Sequence, residues 1–248
     1  MNRQIFINLT VAAIAIVVAF TSCQKDDSDN GKVKLLETVT EPNSWYHKFE
    51  YDSQNRLTKY SRYDSSGELL DTKTLAYSGN DLVKVMYNSS VITVIYEYTK
   101  SGNKITAIPG TQTWDLNSDG QLVKYAMEIG GNSQIIDYLC QNGNLMKRTY
   151  VYNHEAGGTD NFITEYKYDD KKSPMYNCTT PQWYLIDSFI DIMIGTKNNM
   201  IEEKWSVDSN TGAEINIYEY DSDGYPTKRI TTYSNGSKGV TDFAYKQF

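Results

Sequence analysis

The stretch Trp114–Tyr125, WDLNSDGQLVKY, decides how the chain is read. Asp115, Asn117, Asp119 and Gly120 stand where a calcium loop places its first oxygen ligands and its turn glycine. Such a loop also needs a bidentate glutamate at its twelfth position and a helix on each side. Counted from Asp115, the twelfth residue is Ala126, and the flanks alternate as strands do. The stretch therefore predicts strand, tight turn, strand, with no metal site. Asp208–Gly212 is read the same way.

The pattern recurs. Phe49-Glu50-Tyr51-Asp52, Tyr96-Glu97-Tyr98-Thr99, Tyr166-Lys167-Tyr168-Asp169 and Tyr218-Glu219-Tyr220-Asp221 are each aromatic, charged, aromatic, polar, and Tyr150-Val151-Tyr152 is a weaker copy. A period of two places both rings on one strand face and the charge on the other. Asn-, Asp- and Gly-rich turns alternate with these words, and each turn leads to an apolar residue. Leu57, Leu82, Ile105, Leu122 and Leu145 follow in this way. Asn, Asp and Gly tolerate the positive φ that short hairpins demand. Repeated hairpins predict a mainly β fold: an antiparallel meander forming a curved, open or barrel-like sheet over residues 33–248.

Composition agrees with a packed domain. Hydrophobic residues make up 40% and charged residues 22% of 248, so a core can form and general disorder is excluded. Tyrosine, at 21 residues, suits half-buried strand faces. The net charge of −7, with no basic cluster, excludes nucleic acid as a partner class.

Residues 1–22 read as a secretory signal: Arg3, then an apolar run from Ile5 to Phe20, then the small residues Thr21 and Ser22. The run is short for a membrane span. Its end, with Cys23, resembles a bacterial lipobox, although Phe20 and Thr21 depart from the usual lead. The resemblance implies cleavage before Cys23, lipidation of its thiol, and a membrane partner reached through that lipid. Residues 23–32 form an acidic tether, in which Gln24-Lys25-Asp26-Asp27 after Cys23 resembles the short acidic export tag of Bacteroidetes surface lipoproteins. That likeness implies an outer-membrane lipoprotein exposed on the cell surface. The same residues also fit a plain solvated tether. An exported compartment permits a disulfide between Cys140 and Cys178, but two separate thiols are expected.

The aromatic words followed by Gly or Asn resemble YD-type repeats of Rhs and teneurin shells. They are closer still to shorter repeat-bearing Bacteroidetes lipoproteins. The resemblance covers about Lys32 to Phe248 and carries over strand and turn positions only, without catalytic residues. The irregular spacing favours a small curved sheet over a closed wrapped shell.

One segment breaks the pattern. In residues 181–194, Leu185, Ile186, Phe189, Ile190, Met193 and Ile194 form an apolar stripe, with Asp187, Ser188 and Asp191 off it. Thr180 suits the N-cap, Pro181 the first turn and Gly195 the end. This predicts one α-helix covering an open face of the sheet.

The search for chemistry finds little. His47 alternates with Phe49 and Tyr51 and is read as a packed or surface histidine, and His154 falls in a loop. No HExxH, CxxC or GxSxG occurs. Glu50, Glu97 and Glu219 are explained by period two as a solvent face. No cofactor is expected. The sequence favours a non-enzymatic binding or envelope-scaffold module, with a glycan or an envelope protein as partner. The alternative is a carbohydrate-active hydrolase working through two carboxylates. Tyrosine rings are expected chiefly in the core, with some available for sugar stacking at the rim.

Overall fold

The computed structural model describes residues 33–247 apart from Ser44, Ile190, Asp191, Met193 and Ser209. Cys23, the signal segment and the acidic tether lie outside the described residues, as do three positions of the expected helix.

Sixteen strands are present among the described residues. The first eight are β1 Lys34–Thr40, β2 Tyr46–Tyr51, β3 Leu57–Tyr63, β4 Leu69–Ser78, β5 Asp81–Ser89, β6 Thr93–Ser101, β7 Lys104–Ile108 and β8 Thr113–Leu116. The second eight are β9 Leu122–Ile129, β10 Asn132–Gln141, β11 Asn144–Asn153, β12 Thr159–Tyr168, β13 Met200–Val207, β14 Asn210–Tyr220, β15 Pro226–Thr232 and β16 Lys238–Gln247. Each pairs antiparallel with its sequence neighbours, and β1 also pairs with β16, so the meander closes into a barrel. An open sheet would leave two unpaired edges. Closure removes both, and it needs only two ordinary antiparallel partners for β1.

The repeated word maps onto the wall as expected. Phe49, Tyr96, Tyr98 and Tyr166 point inward, while Glu50, Glu97 and Glu219 are exposed on the outside. The fourth residue of the word starts the turn. Asp52, Asp64, Asn117 and Asp221 each accept, through side-chain Oδ1, the backbone N–H groups two and four residues ahead. In the opening stretch this leaves Asn117 as a turn acceptor, with Gly120 at φ 76°. Asp115 lies on the outer wall, 4.0 Å from Lys104.

Asp169 keeps the same role around a much larger insertion. Its Oδ1 accepts from Lys171 N and from Asn199 N, and its own N–H donates to Asn199 O at 3.0 Å, as Asp52 N–H does to Arg56 O. Residues 170–198 are therefore an enlarged hairpin turn. They fold inward and fill one end of the lumen. A sixteen-stranded barrel is wide enough to need such filling, because side chains alone plug only narrow ones.

The helix α1, Gln182–Ser188, belongs to this plug. It is shorter than the sequence suggests and sits inside the barrel rather than over an open face. Trp183, Tyr184, Leu185 and Ile186 are all buried, so burial surrounds the helix instead of following one stripe. Phe189 meets Phe49 and Tyr60, and Trp183 meets Tyr98 and Trp114. Arg229 Nη1 on β15 donates to Ile192 O at 3.1 Å. The plug thus touches opposite walls.

Two capping assignments change. Thr180 does not cap; its Oγ1 accepts from Leu57 N and pairs with Tyr77 OH, tying the plug to the rim. Gly195 does not end the helix either. The chain doubles back so closely that a Cβ there would lie 2.5 Å from Leu185 O. Around the plug, Leu57, Leu82, Ile105, Leu122 and Leu145 form a belt in which none is more than 4% exposed. These are the apolar residues that follow each turn. Cys140 and Cys178 are free thiols.

Candidate functional site

The other end of the lumen is open. There a cavity of about 740 Å³ is walled by β9–β13. Its lining is built from rows of directly opposed residues. One row runs Tyr138, Arg148, Thr164, Trp205, Gly212 across β10–β14. The next runs Tyr125, Ile136, Tyr150, Phe162, Val207 across β9–β13. A third joins Gln134, Tyr152 and Asp160. Period two sends all of them inward, and six of them are aromatic.

The rings are positioned by contacts. Tyr150 and Phe162 meet edge to face at 5.3 Å, and Tyr152 meets His154 at 4.8 Å. His154 lies in the β11–β12 loop, as the sequence suggests, and its Nε2 is 2.9 Å from Asp160 Oδ2. Trp205 lies directly against Gly212, where a Cβ would come within 2.2 Å of ring atom Cζ2. Only glycine leaves room for the indole there.

The plug supplies one more wall residue. Asp187 accepts hydrogen bonds from Trp114 Nε1 and Tyr138 OH, each 3.0 Å long. Burial pushes its carboxyl above the usual range, against the pull of those two donors. The sequence reading placed Asp187 on a polar face, but in the lumen that face meets the barrel wall.

A smaller cavity of about 240 Å³ adjoins, lined by Glu41, Glu203, Glu214 and Arg229 among others. Glu203 also lines the large cavity. Glu203 and Glu214 are opposed across β13 and β14. Burial holds the Glu214 carboxyl above its usual range, opposed by Arg229. A third cavity of about 410 Å³ contains His47, whose Nδ1 is 2.7 Å from Tyr60 OH, so of the two placements open to it, packed or surface, His47 takes the packed one. None of the cavity residues Arg148, Trp205, Glu203 or Glu214 stood out in the sequence. The available signal was Arg148-Thr149-Tyr150-Val151-Tyr152, whose alternation puts a guanidinium on the ring-bearing face.

The outer wall differs sharply. Lys84 pairs with Glu97, Lys147 with Glu165, Lys204 with Glu202 and Lys228 with Glu219, all on the strands. Thr99 and Thr106 share a hydroxyl contact between them. A lipid-facing barrel carries an apolar band about 25 Å tall flanked by aromatic girdles. Here the apolar outward residues, such as Ile95 and Ile217, are interrupted by these ion pairs.

Fold and site together define a plugged sixteen-stranded β-barrel with an aromatic cavity at its open end. In fold it is similar to a porin-like protein from Bacteroides uniformis, with a TM-score of 0.50 at 15% identity over 87% of this chain and 96% of that one. It also matches a porin-like protein from Bacteroides vulgatus, with a TM-score of 0.44 at 14% identity over 86% of this chain and 99% of that one. No family model and no curated protein matches the chain.

Proposed function

We propose that this protein is a non-enzymatic envelope lipoprotein, anchored at the outer membrane through Cys23, that holds a carbohydrate in the open end of its barrel. One observation carries the reading: a cavity of about 740 Å³ lined by rings from five consecutive strands, with polar groups set among them. Apolar walls bearing a few placed donors and acceptors are the usual form of a small-ligand site. Sugar rings offer one apolar face and a rim of hydroxyls, which matches this lining. The ion pairs outside the barrel support attachment by lipid rather than by a membrane-embedded wall. The porin-like likeness agrees with an envelope location.

The test is a glycan array probed with the detergent-solubilised chain, followed by titration of the best saccharides with tryptophan fluorescence as readout. Selective binding that is lost in Trp205→Ala supports the proposal. Silence across the array, with unchanged fluorescence, overturns it.

One observation favours a second reading, a hydrolase. Glu203 and Glu214 face each other across two strands, and Glu214 is held towards its protonated form. Release of new reducing ends by the wild type, abolished in Glu214→Gln, would establish that reading in place of the first.

A further inference from the structure

We infer that the saccharide taken by this cavity is acidic, its carboxylate held by Arg148 while its ring stacks on Trp205. This deepens the carbohydrate reading and rests on it. Arg148 and Trp205 lie in one transverse row, on β11 and β13, with Thr164 of β12 between them. Strands are about 4.8 Å apart, so the two residues stand about 10 Å apart along the wall. That gap matches one to two sugar rings. Thr164, the small residue between them, lines the same cavity.

Arg148 is the unused group of this wall. The other cations near the lumen are engaged: Arg62 donates to Asp71, and Arg229 donates to Ile192 O and Thr241 Oγ1. Arg148 makes no hydrogen bond or ion pair among the described residues. A guanidinium presents five donors in a planar fork that fits a carboxylate through two parallel bonds. Turned into a half-closed aromatic cavity, it keeps its donors unengaged while its charge acts on Asp187. Asp187, on the same cavity, accepts from Trp114 and Tyr138 and feels the charge of Arg148 without a hydrogen bond from it.

Trp205 supplies the second half. Because Gly212 has no side chain, the indole rests on the strand backbone and is held from behind. A flat, supported ring facing a cavity is what stacking on a pyranose requires. Neutral sugars would use Trp205 alone. A uronic or sialic acid would use both groups, and the forked contact would set the orientation of the ring.

The experiment titrates the detergent-solubilised chain with a panel of galacturonate, glucuronate and sialylated oligosaccharides. Each is paired with its carboxyl-reduced neutral counterpart. Acidic members should bind at least tenfold more tightly than their neutral partners, and the advantage should shrink as salt rises. Arg148→Gln should erase that preference, bringing each acidic member down to the affinity of its neutral counterpart. Arg148→Lys should restore it only in part, since a lysine keeps the charge and loses the fork. Trp205→Ala should weaken both members of each pair. Near-ultraviolet circular dichroism of each variant confirms that the barrel is intact. Equal binding of acidic and neutral members, unaffected by Arg148→Gln, overturns the inference and leaves the carbohydrate reading standing. Failure of the whole panel and of its neutral partners overturns both.

Discussion

At the plugged end the inward positions of the strands carry Leu57, Leu82, Ile105, Leu122 and Leu145, and α1 fills the space they surround. At the open end the strands on one side carry Arg148, Tyr150, Tyr152, Phe162 and Trp205 around a cavity. Both ends use the same alternation and the same register. What differs is the length of one turn. The other turns on the plugged side close within a few residues, whereas the one that starts at Asp169 closes only at Asn199 and sends the intervening chain inward. One enlarged hairpin thus turns a symmetric tube into a vessel with a floor and a mouth. The floor is made of close-packed aliphatic and aromatic side chains. The mouth retains polar groups that the floor cannot accommodate.

This contrast can be broken most severely at Gly195. A valine there would press its Cβ into the backbone of Leu185, which cannot move aside, so a loss on the order of 3 kcal/mol or more is expected. Chemical denaturation should show an early or non-cooperative transition. Leu122→Ala opens a void in the belt around the plug and should cost about 2–5 kcal/mol by the same measurement. Gly212→Ala acts at the mouth instead. It displaces the Trp205 ring and should cost about 1–3 kcal/mol, with a shift in tryptophan fluorescence and weaker saccharide binding. If Gly212→Ala proved as damaging as Gly195→Val, the division between a structural floor and a functional mouth would fail.

The smallest effect concerns pH. His47, whose Nε2 lies 3.5 Å from Glu41 Oε1, holds the Glu41 carboxyl below its usual range against the opposing effect of burial. A depressed folded-state value means that Glu41 contributes stability above its unfolded value of 4.5, and that this is lost as pH falls through the folded value. Wild type should therefore lose more stability than Glu41→Gln between about pH 5 and pH 3, as read from thermal midpoints. Equal slopes would remove Glu41 from the account of the mouth.

The local grammar was readable in the sequence. Aromatic pairs two apart face inward, the glutamates between them face outward, and Asx residues open the turns. Each of these follows from short-range sterics and period-two geometry. The notion of a single helix near residues 181–194 was readable too. Its place inside the barrel was not, because an apolar stripe states that burial is needed without saying what provides it. Closure depends on Lys34 meeting Gln247 across almost the whole chain, and no local pattern encodes that contact. The cavity was legible least of all. Arg148, Thr164 and Trp205 become neighbours only through the register of β11–β13. Trp205 also depends on a glycine that, read alone, looks like part of a turn.

Closure has a further consequence for orientation. Because the strand number is even, the first and last strands begin and end at the same rim, the one sealed by the plug. Lys34 is fastened there by Asp221 of the β14–β15 turn at 2.8 Å. Both ends of the barrel's own chain, Lys34 and Gln247, thus meet at the sealed rim. The aromatic mouth is the rim that carries neither of them.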